Sequence, residues 1–261
     1  MISQTRRICV ISLASIWCLT IISGSFLSVN AQQPDSKRLP ILLIHGYAED
    51  SGIWNLWRGW LGADHFSKVY PITFLSDDQC GSVEQHATEL KNIVDGILSG
   101  TPYKKVNIVA HSKGGLDARW YITNNRIDKV ASLIMIGTPN AGTTAAFLDL
   151  TRCPIGSDSD LFPGSFATQV VDRPQLTHYY TIAGNWEPGN ICPSFLPPGW
   201  YLDGGNCLIL GEDDSLVPVN SVESSSNYIS LGEYPYTHVE LLQHKKVYER
   251  AFPILDRQLD Q

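Results

Sequence analysis

The stretch Val106–Gly115, reading VNIVAHSKGG, restricts the possible folds of this chain more than any other segment. A β-rich run, Val106–Val109, leads to Ser112, and Gly114-Gly115 then open a helix-like segment over Leu116–Ile122. Strand and helix approach closely across so tight a turn, so small residues are needed beside it. A serine at that turn has its hydroxyl lifted off the sheet. Backbone N–H groups at the helix start point at whatever the hydroxyl attacks. Ser112 is therefore a candidate nucleophile, although a serine capping an ordinary helix would look the same in isolation.

The rest of the chain alternates β-rich runs with helical stretches, the pattern of a mostly parallel sheet covered on both faces. Strands are expected at Ile41–Ile44, Val69–Phe74, Val106–Val109, Leu133–Ile136, Tyr179–Ile182, Cys207–Leu210 and Tyr228–Leu231. Val83, Leu90, Ile93, Val94, Ile97 and Leu98 recur at helical spacing and stop before Gly100 and Pro102, which predicts a helix over Val83–Leu98. Leu116–Asn124 and Val239–Ala251 also read as helices. Two segments break the rhythm. Ala141–Thr177 mixes Phe147, Leu148, Leu161, Phe162 and Phe166 with Gly, Pro and Ser, and is expected to form a lid over the site or a locally packed loop. Asn185–Asn206 is rich in Pro, Gly and Trp and forms either another wall of the site or a surface loop. Trp54, Trp57 and Trp60 are spaced for either an apolar rim or helix core packing.

At the N-terminus, Arg6-Arg7, the apolar run Ile8–Ile22 and the small-residue site Val29-Asn30-Ala31 predict a signal peptide over residues 1–31, and hence a secreted or extracytoplasmic protein. Ser12, Ser15 and Thr20 interrupt the run, which is shorter than the roughly 20 apolar residues of a membrane anchor. Of six cysteines, Cys80, Cys153, Cys192 and Cys207 follow this segment, so two disulfides are expected in one of three pairings. Cys192 with Cys207 would close a Pro/Gly-rich loop and leave Cys80 with Cys153. A net charge of −7 disfavours nucleic-acid binding, and no cysteine–histidine spacing suits zinc.

A serine nucleophile needs a neighbouring base, itself oriented by a carboxylate. On a sheet of this kind the chain order is serine, acid, histidine. The acids Glu212, Asp213 and Asp214 follow the Cys207–Leu210 run, and His238 lies between the Tyr228–Leu231 run and the next helix. His244 falls within that helix, His178 precedes the acids, and His111 reads as a packing residue. The N–H of Lys113, next after the serine, is placed to serve an oxyanion hole.

The segment Ala110-His111-Ser112-Lys113-Gly114-Gly115 resembles the A-H-S-x-G-G elbow of Bacillus-type secreted lipases. His45-Gly46-Tyr47 resembles their H-G-x segment, and the resemblance makes the Tyr47 N–H the second oxyanion donor. Gly137-Thr138-Pro139-Asn140-Ala141-Gly142 is similar to G-[TA]-P-x-x-G of bacterial triacylglycerol lipases. Asp213-Asp214-Ser215-Leu216-Val217-Pro218 resembles their acid segment and selects Asp214, with Ser215 in place of a glycine. Thr237-His238-Val239-Glu240 is similar to their histidine segment. Some of these lipases bind calcium near Glu240, but the second acid has no evident counterpart, so no metal or cofactor is expected. The resemblance implies an α/β-hydrolase fold over residues 39–261, with a lid insertion at 141–177. It implies a serine ester hydrolase acting on acylglycerol-like esters, with Ser112, Asp214 and His238 catalytic and a lipid–water interface as one meeting place. An acyltransferase or thioesterase using the same triad, and a non-catalytic binding protein on that scaffold, are the rival readings.

Overall fold

The computed structural model describes residues 38–76, 80–125, 128–147, 153, 157–186, 209 and 211–257. The expected signal peptide, Cys192, Cys207, most of the Asn185–Asn206 region and all of the Cys207–Leu210 run except Ile209 lie outside the described residues. The strands are β1 (Ile41–Ile44), β2 (Val69–Pro71), β3 (Val106–His111), β4 (Val130–Ile136), β5 (His178–Gly184) and β6 (Tyr228–Tyr234). They pair in parallel throughout, in the order β2-β1-β3-β4-β5-β6. The helices are α1 (Asn55–Ala63), α2 (Val83–Ser99), α3 (Lys113–Asn125), the short α4 (Ser157–Leu161) and α5 (Val219–Val222), and α6 (Lys245–Leu255).

β1, β3 and β4 are buried at every position, as unbroken apolar runs should be when both faces of a sheet are covered. Their side chains alternate between two cores. Ile41 and Leu43 pack with Trp57 and Leu61 of α1 and with Val247 and Tyr248 of α6. Leu42 and Ile44 face Leu90 and Val94 of α2 and Tyr121 of α3. Trp54 and Trp57 are wholly buried, and Trp57 meets Tyr248 edge-on at 5.3 Å, so these rings are core and not a rim. α2 begins with a capping box, in which Gln85 N–H donates to Ser82 Oγ and Ser82 N–H to Gln85 Oε1 at 2.8 Å.

β4 and β6 run three residues beyond their expected bounds, at Val130 and Tyr234, and two further departures have a local cause. β2 ends at Pro71 because the Phe74 N–H is taken by His45 Nε2 at 3.0 Å instead of by the β1 backbone. The expected helix Val239–Ala251 is split into a 3₁₀ turn at Glu240–Leu242 and α6. Glu240 closes that turn by accepting from Thr237 N–H and Oγ at 3.0 and 2.8 Å. His244 is then extended and caps α6, its ring stacked 3.6 Å from Tyr236, so it is not a helix-interior residue.

The described residues of the 141–177 segment rest on α2 and α3. Ala146, Leu161 and Ala167 pack on Val83 and Leu116, and Arg119 pairs with Asp172 at 2.8 Å. A disulfide joins Cys153 to Cys80, just ahead of α2, across a sequence separation of 73. This is the pairing left by joining Cys192 to Cys207. Closing a loop of that length removes about 4 kcal/mol of unfolded-state entropy on the chain-entropy model. Urea unfolding with and without reductant should show a clearly lower midpoint for the reduced protein. Coincident midpoints would remove that stabilising role. Among the described residues no helix is long and apolar enough to cross a membrane.

Candidate active site

β1 and β3 are adjacent, yet their chains depart to opposite sides of the sheet, which opens a crevice at their carboxyl ends. Ser112 stands there. Its φ is +53°, a left-handed conformation that costs a residue with a side chain about 1–2 kcal/mol. Hydrogen bonds on both sides hold it: Ser112 N–H donates to Ile136 O at 2.9 Å, and Ser112 O accepts from Gly115 N–H at 3.0 Å. The glycines that follow have a steric reason. A Cβ on Gly114 would lie 2.3 Å from His45 O, and one on Gly115 would lie 2.1 Å from Thr138 Oγ. The same logic applies to Gly46, where a Cβ would lie 2.7 Å from the Ser112 Cβ.

Asp214 and His238 meet at this edge. Asp214 Oδ2 accepts from His238 Nδ1 at 2.7 Å, while its Oδ1 accepts from Leu216 and Val217 N–H at 3.0 and 2.8 Å. His238 N–H donates to Asp214 O at 2.7 Å, so backbone and ring are gripped by one residue. With Nδ1 donating to a carboxylate, Nε2 is the basic nitrogen. Gly137 closes the group: its φ is +58°, and a Cβ there would lie 3.1 Å from both Asp214 Oδ2 and His238 Nδ1. Gly137 directly follows Ile136, the acceptor of the Ser112 N–H. Ser112, Asp214 and His238 therefore gather at the carboxyl edge of β3 and β4.

The other candidates lie elsewhere. Asp213 is buried but turned into its own loop, accepting the Ser215 N–H at 2.6 Å, and Glu212 is exposed. Ser215 sits at φ +82°, the backbone that a glycine would take freely. His178 begins β5 at the opposite edge. Tyr47, in the loop after β1, is half-buried against the Val83, Leu116 and Leu161 cluster.

Sequence reasoning missed two polar groups. His111 is no mere packing residue: its ring contacts Glu49 and the His238 carbonyl, each at 3.0 Å. Lys113 sends its side chain inward, where Nζ donates to Asp117 Oδ1 at 2.7 Å and Gly81 O at 2.9 Å. His86 Nδ1 reaches Asp117 Oδ2 at 3.0 Å, and Asp160 of α4 accepts the Val83 N–H at 2.9 Å. A histidine on the apolar stripe of α2, and an aspartate four residues after Lys113, were the signals available in the sequence.

Burial raises the Asp160 carboxyl to about 6 from 3.8, against the pull of Lys113 and of the Val83 N–H. Folded Asp160 therefore holds a proton that the unfolded chain loses across that window, and its contribution to stability falls as pH rises from 3.8 to about 6. Asp160→Asn keeps an acceptor for Val83 and removes the titration. Urea unfolding at pH 4 and pH 7 should show the variant gaining at the higher pH relative to wild type, by at most about 3 kcal/mol. An unchanged pH dependence would refute the assignment.

A parallel sheet covered on both faces, with a serine on a strained strand-to-helix turn at its carboxyl edge, is the architecture of the α/β-hydrolases. In that fold the chain is similar to the Bacillus licheniformis lipase BlEst2 in mature form, with a TM-score of 0.70 and 22% identity over 86% of this chain and 94% of that one. The family model described as lipase (class 2) matches residues 38–173, and the chain belongs to that family. Among relatives, triacylglycerol lipases of Burkholderia plantarii and Pseudarthrobacter phenanthrenivorans are 33% identical over 127 residues and 34% identical over 119. Those alignments cover 46% and 42% of this chain. They span about a third of the relatives' own length, 34% and 36%.

Proposed function

We propose that this protein is a serine ester hydrolase that cleaves acyl esters of the acylglycerol type through an acyl-enzyme. The observation that carries the reading is the buried 2.7 Å contact between His238 Nδ1 and Asp214, at the sheet edge where Ser112 occupies its strained turn. His238 Nε2 removes the Ser112 proton as Oγ attacks the ester carbonyl. Asp214 orients the ring and stabilises the imidazolium that forms. The N–H groups of Lys113 and Tyr47 receive the negative oxygen. The imidazolium returns its proton to the departing alcohol, and water repeats the sequence to release the acid. No metal or cofactor enters these steps.

Family membership and the apolar side chains beside the site support a lipid-like acyl group. Leu216 and Val239, each next to or one residue removed from a triad member in sequence, are about half exposed at 45% and 49%. Such exposure suits contact with an acyl chain or a lipid surface. The 141–177 segment is the lid in this reading, and residues 1–31 direct export. The Cys80–Cys153 bridge is consistent with an oxidising, extracytoplasmic location.

The test compares wild type with Ser112→Ala, using p-nitrophenyl esters from acetate to palmitate and a fluorophosphonate probe. Wild type should hydrolyse the series and take the label on the Ser112 peptide. Labelling or turnover that survives in the variant would overturn the reading.

A further inference from the structure

We infer that His111 is a standing imidazolium which, paired with Glu49, acts as a positioning residue that locks the His238 backbone to the loop after β1. The inference rests on the catalytic reading of His238 and assigns that site two residues beyond the triad.

Each ring nitrogen of His111 faces an acceptor. His111 Nδ1 lies 3.0 Å from Glu49 Oε2, and Nε2 lies 3.0 Å from the His238 carbonyl oxygen. Both partners can only accept. A neutral imidazole has one N–H, so beside an ionised Glu49 one of the two contacts would set lone pair against lone pair on a ring that is itself wholly buried. The doubly protonated ring satisfies both. His45 supplies the contrast within the same molecule. Its Nδ1 faces Gly46 O at 2.8 Å, while its Nε2 accepts the Phe74 N–H at 3.0 Å, a pattern that a neutral ring fulfils.

Electrostatics agree with the geometry. Burial pushes the His111 imidazole down, but the Glu49 charge and hydrogen bond, the His238 carbonyl and the Asp214 charge together raise it above 6.5. Burial likewise pushes Glu49 up, and the His111 charge and hydrogen bond with the Gly46 N–H carry it down to about 2. The titratable groups around His111 are thus Glu49 from the loop after β1, the His238 ring at 4.6 Å, and Asp214 behind it.

The pair ties three segments together. Glu49 Oε2 also accepts the Gly46 N–H at 2.7 Å, which fastens a loop that includes Ala48 at φ +51°. Through His111, the residue before Ser112, the same carboxylate reaches His238. His238 is then held by its carbonyl as well as by the N–H and Nδ1 that Asp214 engages. A neutral His111 keeps one N–H, which the Glu49 carboxylate retains as the stronger acceptor, so the carbonyl is released and the sign is set. The lock is closed at low and neutral pH and opens as pH rises through the folded His111 value.

Glu49→Gln tests this. The amide can still accept from Gly46 but carries no charge to hold the second ring proton. We expect kcat to fall about tenfold to a hundredfold with KM changed less than about twofold, since a small displacement of the base is costly. The alkaline limb of the kcat profile should move to lower pH. Nitrogen NMR of the wild-type imidazoles supplies a readout free of activity. At pH 7 His111 should show two protonated nitrogens, and in Glu49→Gln it should lose one of them at a lower pH. A neutral wild-type ring at pH 7, or an alkaline limb unmoved in the variant, would overturn the inference. Failure of the fluorophosphonate to label wild-type Ser112 would remove the catalytic reading and leave the NMR result standing by itself.

Discussion

Ser112→Ala is expected to fold with near wild-type stability and to hydrolyse p-nitrophenyl esters about a millionfold more slowly in kcat, a barrier increase of about 8 kcal/mol. The two halves of that expectation have separate causes. Serine already carries a Cβ at φ +53°, so alanine adds no backbone strain there. The hydrogen bonds that hold the turn, Ser112 N–H to Ile136 O and Gly115 N–H to Ser112 O, belong to the main chain and survive. Only the attacking oxygen is lost. Without it the His238–Asp214 pair has no proton to collect, and residual turnover comes from oxyanion stabilisation and binding alone. Near-wild-type activity with an unchanged unfolding midpoint would show that the nucleophile lies elsewhere.

Gly114→Ala should be strongly destabilising, at about 3 kcal/mol or more. Its Cβ would fall 2.3 Å from His45 O, 2.8 Å from Ile44 Cγ2 and 3.1 Å from Ile44 O. Two of those atoms are backbone at the end of β1 and cannot swing aside. Relief requires α3 to move away from the sheet, which carries Lys113 with it and shifts the loop holding Gly46 and Tyr47. Activity should therefore drop together with the urea midpoint. Gly59→Ala is the control. It lies exposed in α1 with nothing within 4 Å of the added methyl, and there alanine should stabilise by about 0.5–1 kcal/mol. Equal effects at the two positions would mean that close packing of helix on strand plays no part at the elbow.

Much of the site was legible because its signals are local. Ser112 is marked by a β-rich run and two glycines; Gly114 proves to be a close approach of helix to strand, and Gly115 a close approach to the Thr138 side chain after β4. Asp214 was chosen over Asp213 on motif resemblance, and the loop geometry shows the physical difference: Asp213 turns back on Ser215 while Asp214 faces His238. His45 carries the resemblance to the H-G-x segment, and its ring ends β2 by taking the Phe74 N–H.

The order of elements, the buried character of β1, β3 and β4, and the order serine, acid, histidine were present in the amino-acid sequence alone. Periodicity and turn chemistry act between neighbours and need no fold to be read. Tertiary structure decided the rest: that Trp54 and Trp57 face the core, that Lys113 reaches the Gly81 carbonyl, that α6 starts at Lys245, and that Glu49 meets His111 across 62 residues. Those partners are brought together by crossovers between strands, so no spacing along the chain encodes their distance. A buried charge has meaning only beside the group that neutralises it, and that neighbour exists only in the folded sheet.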